Sequence, residues 1–447
     1  MSIAYSSSRQ AGAVSLPATG LVDGEVIYDL ACRIFPICRS ITGNGVRETL
    51  DILRGILPEL KTVEVPTGTR CFDWTIPKEW NIRDAYILNE SGERIVDFAD
   101  SNLHVMNYSV PVDAEMELDD LQPHLYSIPD QPDAIPYVTS YYKERWGFCL
   151  TENQRRRLKP GRYRVRIDSR LEDGHLSYGE LRLPGQSTEE VLLSTYVCHP
   201  SMANNEVSGP CVTAFLARWL MGQANRKYSY RILFLPETIG AIAYLSRHLA
   251  EMQQRVIAGF NVTCVGDDRT YSYLPSRAGD TLTDNVITHV LEMLAPDYER
   301  YSFLDRGSDE RQYCSPNVDL PVASLMRSKY DTYPEYHTSL DDLTLISPAG
   351  LFGSYKALLR CIQCVEQNCR PRCKMPCEPQ LGKRGLYPDL SRKGSSHAVK
   401  RMMDLLAYSD GQKTLLEIAR TINVPVWELT DIVETLKTAG VLEVDEL

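Results

Sequence analysis

The sequence predicts an α/β protein: a mostly parallel, mixed sheet with helices on both faces, interrupted by a β-rich insert and followed by a small winged-helix unit. Short apolar runs alternate with helical periodicity from about Val191 onward. Between about Val63 and Gly185, β-branched and aromatic runs are broken by Pro, Gly, Asn and Asp. Two amphipathic helices, a turn, Gly440 and a short apolar strand close the chain. At 447 residues the chain exceeds what one hydrophobic core usually serves, so two or three domains are expected.

The elements follow in order. GEVIYDLACRIF and GVRETLDILRGIL repeat apolar residues at helical spacing and are parted by the turn-like Ser40-Ile41-Thr42-Gly43. CFDWTIP, DAYILN, RIVDFA and RYRVRIDS read as short strands of the insert. VLLSTYV is then a buried strand and GPCVTAFLARWLM a helix; RILFLPE leads into TIGAIAYLSRHLAEM, and VIAGFNVTCVG into a polar loop. Residues 283–295 are helical and LPVASLMR is another strand. Buried strands alternating with helices argue for a parallel sheet covered on both faces. A long helix, LFGSYKALLRCIQCVEQ, precedes the Pro-rich basic connector KMPCEPQLGKRGLYP, and 388–398 reads as a linker. The expected domains are the α/β body at 21–62 and 186–387, the insert at 63–185 and the winged helix at 399–447.

Hydrophobic residues make up 43% and charged residues 24%, an ordinary globular balance. A formal net charge of -11 argues against a general nucleic-acid or anionic-membrane binder, because phosphate contacts need clustered cations. No apolar run approaches bilayer-spanning length. The polar stretch MSIAYSSSRQAGAVSLPATG reads as a disordered leader and not as a signal peptide. Thirteen cysteines, an odd number set mostly in apolar runs (Cys32, Cys198, Cys211, Cys264), suit buried thiols in a reducing compartment. The expected location is the cytoplasm.

In an open parallel sheet, ligands bind outside the carboxyl ends of the strands. VLLSTYVC ends at His199, RILFLP at Glu237 and GFNVTCVG at Asp267 and Asp268, while the loop PEYHTSLDD offers His337. Two imidazoles and several carboxylates on one edge suit a zinc ion beside a general base, since the metal lowers the pKa of bound water and a carboxylate takes its proton. Each residue alone has a plainer reading: a strand-end histidine bonded locally, or Glu237 favouring the N-terminus of the helix after it. Their recurrence at successive strand ends favours function.

STYVCHPSMANNEVSGP, LFLPETIGAIAYL, FNVTCVGDD and YHTSLDDL resemble loops of the dinuclear zinc aminopeptidases of the bacterial leucyl-aminopeptidase type. Over nearly the whole chain, FPICRSITGNGVRETL, CFDWTIPKEW, CEPQLGKRGLYP and the terminal winged helix resemble, in that order, the bacterial family of polysaccharide biosynthesis proteins with an aminopeptidase-like domain. The resemblance implies a zinc-aminopeptidase-like core in which His199 is the first metal histidine, His337 the last and Glu237 the general base. It also implies departures. Asn205, followed by Glu206, stands where the bridging aspartate belongs; Thr238 replaces the metal-binding glutamate after the base; Thr263 replaces the third carboxylate, with Asp267 slightly further on. A neutral Asn bridges two cations poorly and Thr is a poor zinc ligand. The expectation is one divalent metal, zinc or else iron, held by His199, His337 and a carboxylate from Glu206 or Asp267. An empty, non-catalytic site is the alternative.

Arg39 and Arg47 in RSITGNGVR, and Lys383 and Arg384 in GKRG, are candidates to hold a substrate carboxylate or phosphate; pairing with the chain's surplus acids is the alternative. Tyr137, Tyr141, Tyr142, Trp146 and Phe148 offer either a pocket wall or ordinary β-domain core. Cys361, Cys364, Cys369, Cys373 and Cys377 fit no strong metal-knuckle spacing and read as incidental thiols. From Lys400 onward nine acidic residues face five basic ones, and an acidic VWELTDIVETLK helix repels phosphate. A packing role, a partner protein or a homo-oligomer contact is therefore expected of the winged helix, with no nucleic acid and no membrane. The expected function is a metal-dependent amide hydrolase, or acyl transferase, acting on a small aminoacyl or peptidyl substrate of a polysaccharide or natural-product pathway. A catalytically inactive binding protein is the second reading and a transcriptional regulator the third.

Overall fold

A computed structural model describes residues 22–386 and 395–446; the expected leader and most of the expected linker lie outside the described residues. Eight strands form the central sheet in the order Lys61–Pro66, His175–Leu183, Ser229–Leu235, Glu190–Tyr196, Val256–Asn261, Val322–Met326, Ser272–Leu274, Glu299–Arg300. The four middle strands are mutually parallel. Antiparallel pairs flank them on both sides. The mostly parallel, mixed sheet read from the sequence is borne out.

The near-continuous apolar character of the middle strands follows from burial on both faces. Val191 and Leu193 face one core while Leu192 and Tyr196 face the other; Tyr230, Ile232 and Phe234 alternate in the same way with Leu233 and Leu235. Helices Gly24–Ile34, Ser208–Met221, Leu282–Leu294 and Pro348–Gln367 cover the first face, and Ile239–Arg255 covers the second. Each fully buried Leu or Phe contributes about 1.5–3 kcal/mol. Helix Ser208–Met221 approaches the sheet so closely that a Cβ on Gly209 would stand 2.5 Å from both the Val262 carbonyl oxygen and Thr195 Oγ1. Only glycine permits that approach.

The central sheet takes in Lys61–Pro66 and His175–Leu183, both of which fall largely or wholly within the residues 63–185 expected to form the insert. Strand composition is the same whichever sheet a strand joins, so the composition shift misplaced the boundary. The insert's own sheet is antiparallel, in the order Arg94–Asp97, Glu79–Leu88, Arg162–Glu172, Val112–Glu117. It packs Ala85, Ile87, Val165 and Ile167 against Phe148. One insert loop is stitched to the main body beside His337: the Tyr137 amide donates to the His337 carbonyl at 2.9 Å, and the Ser339 amide to the Ile135 carbonyl at 2.9 Å.

The C-terminal unit comprises helices Ser395–Tyr408, Leu415–Ile422 and Val426–Thr438, then strand Leu442–Glu446. That strand pairs antiparallel with Cys369–Cys373, so the unit borrows a strand from before the expected linker. Leu415, Leu429 and Leu436 belong to the same core as Leu358 and Ile362 of the long helix. The Val426 amide donates to His289 Nε2 at 3.1 Å, and the Arg360 guanidinium lies 5.0 Å from the Trp427 ring centroid. No helix among the described residues is long and apolar enough to cross a membrane.

Candidate active site

Strand Glu190–Tyr196 is the pivot of the parallel set. The strand after it in the chain, Ser229–Leu235, lies on one side and the next, Val256–Asn261, on the other. Connections diverge at such a point and leave a crevice outside the carboxyl ends of the strands. His199 follows the pivot strand, Glu237 follows Ser229–Leu235, and His337 lies on the loop between Val322–Met326 and Pro348–Gln367. These three line one cavity of about 320 Å³, together with Cys198, Tyr137 and Tyr141. Trp74, Tyr142 and Arg311 complete its wall.

The histidine is fixed from behind. His199 Nδ1 donates to Glu206 Oε2 at 2.8 Å, which leaves Nε2 directed towards Glu237 Oε2 at 3.7 Å. A carboxylate on one ring nitrogen orients the ring and raises the basicity of the other. Glu206 is itself buried beside Arg39, whose Nε lies 3.6 Å from Glu206 Oε1 and donates to the His199 carbonyl at 3.0 Å. The His199 and His337 ring centroids are 5.4 Å apart and tilted by 40°. Tyr137 sits against both rings, and Tyr336 stacks on His337 at 3.9 Å. Burial, then the neighbouring His199, pushes His337 down to about 3, so its imidazole is neutral. Burial pushes the Glu237 carboxyl up, opposed by His199 and Arg311. The His199 imidazole is opposed by its own burial, but Glu206 and Glu237 outweigh that and raise it.

Backbone conformation is unusual here. Ser201, Thr238, Cys264 and His337 all adopt positive φ, with Thr238 at 64° and His337 at 55°. Non-glycine residues held in this region cost of order 1–3 kcal/mol each and concentrate at functional sites. A wide, π-helical turn over Ala203–Val207 carries Asn205 and Glu206 into the site. Its amides are held by Asp341, which accepts from the Asn204 and Asn205 amides at 2.6 and 3.0 Å. Burial pushes Asp341 up to about 6 despite those donors.

Several expected residues lie elsewhere. Asp267 is buried, and its two oxygens accept from Asn204 Nδ2, the Ser328 amide, Ser328 Oγ and the Arg269 amide. Four donors occupy the lone pairs a metal would need. Glu206 stands behind His199 and not across the cavity from it. Arg39 is fully buried in that same cluster, so it meets no substrate. Arg47 pairs with Glu79, and its Nη2 donates to Asn44 Oδ1 at 2.6 Å. Lys383 and Arg384 belong to the short turn Gly382–Arg384 after Cys369–Cys373, and Arg384 donates to the Gln380 carbonyl and to Met375 Sδ. None of these four cations lines the cavity. Tyr137, Tyr141 and Tyr142 do line it, whereas Trp146 and Phe148 pack in the insert core. Cys198, Trp74 and Arg311 were not anticipated; only the adjacency of Cys198 to His199 was visible in the sequence.

Two tests bear on a metal. Rings bound to one zinc at about 2 Å in tetrahedral geometry place their centroids about 5 Å apart, close to the observed separation. Among the described residues, Cys198, His199 and Glu206 are the group of three metal-ligating side chains whose donor atoms all lie within 4.8 Å of one another. The ring separation alone fits a single cation between the imidazoles; the group of three gathers at His199 Nδ1 and includes neither His337 nor Glu237. A second cation does not fit: Asn205, Thr238 and Thr263 bring no charge, and Thr263 Oγ1 is engaged with the Tyr196 hydroxyl at 2.6 Å.

Residues 28–368 match the family described as a domain of unknown function, DUF4910. The chain belongs to the DUF4910 family. Residues 368–444 match the winged helix-turn-helix family, which agrees with the strand borrowed from Cys369–Cys373. A Clostridium acetobutylicum protein named as a polysaccharide biosynthesis protein with aminopeptidase-like domain is 49% identical over 399 residues, covering 89% of this chain and 91% of its own. The family resemblance drawn from the sequence therefore holds. The crystal structure of a candidate peptidase from Clostridium acetobutylicum superposes with a TM-score of 0.88 at 46% identity, over 94% of this chain and 96% of that one. The zinc aminopeptidase of Bacillus subtilis matches at a TM-score of 0.56 and 10% identity, over 77% and 95% of the two chains. A peptidase M28 precursor from Shewanella amazonensis matches at 0.53 and 12%, over 79% and 94%. These last two similarities show that this DUF4910 protein has the aminopeptidase-like fold.

Proposed function

We propose that the cavity hydrolyses an amide bond of a small aminoacyl or peptidyl substrate in an aminopeptidase-like manner, with acyl transfer to an amine as the related variant. The observation that supports this most directly is the meeting of His199, His337 and Glu237 in one cavity at the switch point of the sheet. Zinc held by His199 Nε2 and His337 would polarise the scissile carbonyl and acidify a water molecule. Glu237, its carboxyl raised by burial, takes the proton of the attacking water and returns it to the departing amine. The hydroxyl ends on the acyl carbon, and the C–N bond breaks to give a carboxylic acid and an amine. Glu206 and Arg39 hold His199 in one tautomer and orientation. Tyr137 and Tyr141, joined hydroxyl to hydroxyl at 2.5 Å, wall the cavity from the insert side. The winged helix we read as a packing module, because its Val426–Thr438 helix begins buried against His289 and not at an open face.

The missing carboxylates at Asn205, Thr238 and Thr263 favour a second reading, an inactive protein that binds an aminoacyl ligand without turnover. Metal analysis of the purified chain separates the two. The hydrolase reading expects close to one equivalent of tightly held zinc, lost in His199→Ala and His337→Ala and retained in Asp267→Asn. Glu237→Gln should keep the metal and lower turnover of an aminoacyl amide by about 10²-fold or more. A chain that takes up no zinc when it is offered refutes the hydrolase.

A further inference from the structure

We propose that Trp74 and Tyr142 form a sugar-binding sill at the mouth of the cavity, so that the amine released from the substrate is carried on a saccharide. This rests on the amide-hydrolase reading and names its substrate class. Trp74 and Tyr142 line the reaction cavity and also a second hollow of about 420 Å³ outside it, so they separate the two spaces. An inner space of about 320 Å³ suits an aminoacyl-sized group, at the small end of ligand pockets. Whatever else the substrate carries towards the outer hollow crosses these two rings.

The rings are unusually bare. Trp74 is 40% and Tyr142 54% exposed, and they meet edge to face at 5.7 Å. Two of the seven exposed large hydrophobic side chains among the described residues therefore meet at this mouth, and a third, Phe72, 49% exposed, is on the same Arg70–Thr75 hairpin as Trp74 but lines neither hollow. Phe72 is held at a φ of 55°, a conformation that a bulky residue keeps only where its surroundings impose it. Clustered exposed apolar surface marks a binding site. The outer hollow mixes these faces with polar groups, Asp73 and Thr75, and Arg311 and Thr139 stand on the inner side. A saccharide ring matches this pattern: one face of C–H bonds lies on an aromatic ring while the hydroxyls at its rim reach polar neighbours. A peptide's apolar side chain gains most from enclosure, which two exposed rings do not supply.

The test is a binding titration that needs neither metal nor turnover. Chitotriose and maltotriose are titrated into the intact chain, followed by tryptophan fluorescence and saturation-transfer NMR. Saturable binding of at least one, with a Kd on the order of 1 mM, is expected. Trp74→Ala and Tyr142→Ala should each weaken it about five- to tenfold at an unchanged melting temperature, and Trp74→Phe should retain most of it. Glu237→Gln should bind as the parent does, so a failed hydrolase assay leaves this result standing. Binding of neither sugar, or binding indifferent to Trp74→Ala, overturns the proposal. Trp74-dependent binding of Ala-Ala-Phe without sugar binding overturns it in favour of a peptide subsite.

Discussion

Replacing Arg39 by Met tests the claim that His199 is aimed from behind by a buried charge pair. Arg39 is 0% and Glu206 1% exposed, and the Arg39 Nε stands 3.6 Å from Glu206 Oε1. Arg39 also donates to the His199 carbonyl at 3.0 Å and to the Ile34 carbonyl at 2.6 Å. Methionine fills much of the volume but takes from the buried His199 carbonyl its Arg39 donor, leaves the Ile34 carbonyl only the Ile37 amide, and leaves the Glu206 charge without its cation. Breaking a buried pair in this way costs about 3–5 kcal/mol. With an unfolding entropy of about 2.1 cal/mol/K per residue, the 447-residue chain loses stability at about 0.9 kcal/mol per degree near its midpoint, so the melting temperature should fall by about 3–5 °C. Arg39→Met combined with Glu206→Gln should recover part of the loss, because no charge is then stranded. Differential scanning calorimetry of the parent, both single variants and the double variant measures the coupling. An Arg39→Met protein melting within about 1 °C of the parent, or a double variant showing no recovery, refutes the pairing as the organiser of His199.

Other predictions follow from the same structure. Burial pushes the Glu79 carboxyl up, but Arg47, the His175 amide and Asn81 outweigh it and hold it down to about 2. Its stabilising contribution, at most about 3 kcal/mol, is complete above pH 4.5 and disappears as the pH falls from there towards 2. Acid-unfolding curves should show this limb flattened in Glu79→Gln; identical limbs would remove the pair from the account. The Val426–Thr438 helix starts against His289 and Trp427 packs under Arg360, so the chain should not shift labelled duplex DNA at physiological salt. A salt-sensitive shift at micromolar protein would restore the regulator.

The α/β body was legible because its signal is local. Strands such as VLLSTYV and RILFLP are apolar throughout, and the helices between them keep their period, so alternation alone specifies a covered parallel sheet. His199, Glu237 and His337 were legible for the same reason: each stands next to a recognisable strand or in a distinctive loop. The roles of Glu206 and Asp267 were not. Both are buried carboxylates near the strand ends, and only tertiary contacts show that one faces His199 Nδ1 while the other is saturated by Asn204, Ser328 and Arg269. Arg39 and Arg47 sit in one signature yet face opposite ways, into the core and towards Glu79. The insert boundary failed because Lys61–Pro66 and His175–Leu183 have the composition of insert strands while pairing with the central sheet.

The absent carboxylates mark a rebuilt site and not a gap. The Tyr196 hydroxyl takes the central place: Asn205 Nδ2 donates to it at 2.9 Å, it donates to the Asn205 carbonyl at 2.9 Å, and Thr263 Oγ1 lies 2.6 Å away. Three neutral side chains thus gather where two cations would need anions, with the Asn205 side-chain oxygen buried and without a hydrogen-bond partner, and burial pushes the Tyr196 phenol well up, so it stays uncharged. Charge stands instead at the two ring nitrogens of His199, Glu206 beside Arg39 at Nδ1 and Glu237 at Nε2. A neutral cluster around Tyr196, with Glu206 already engaged by His199 Nδ1 and Arg39, is an arrangement for at most one cation. Restoring a single carboxylate at position 205 would place an unpaired anion against Tyr196 and would not recreate a second metal site.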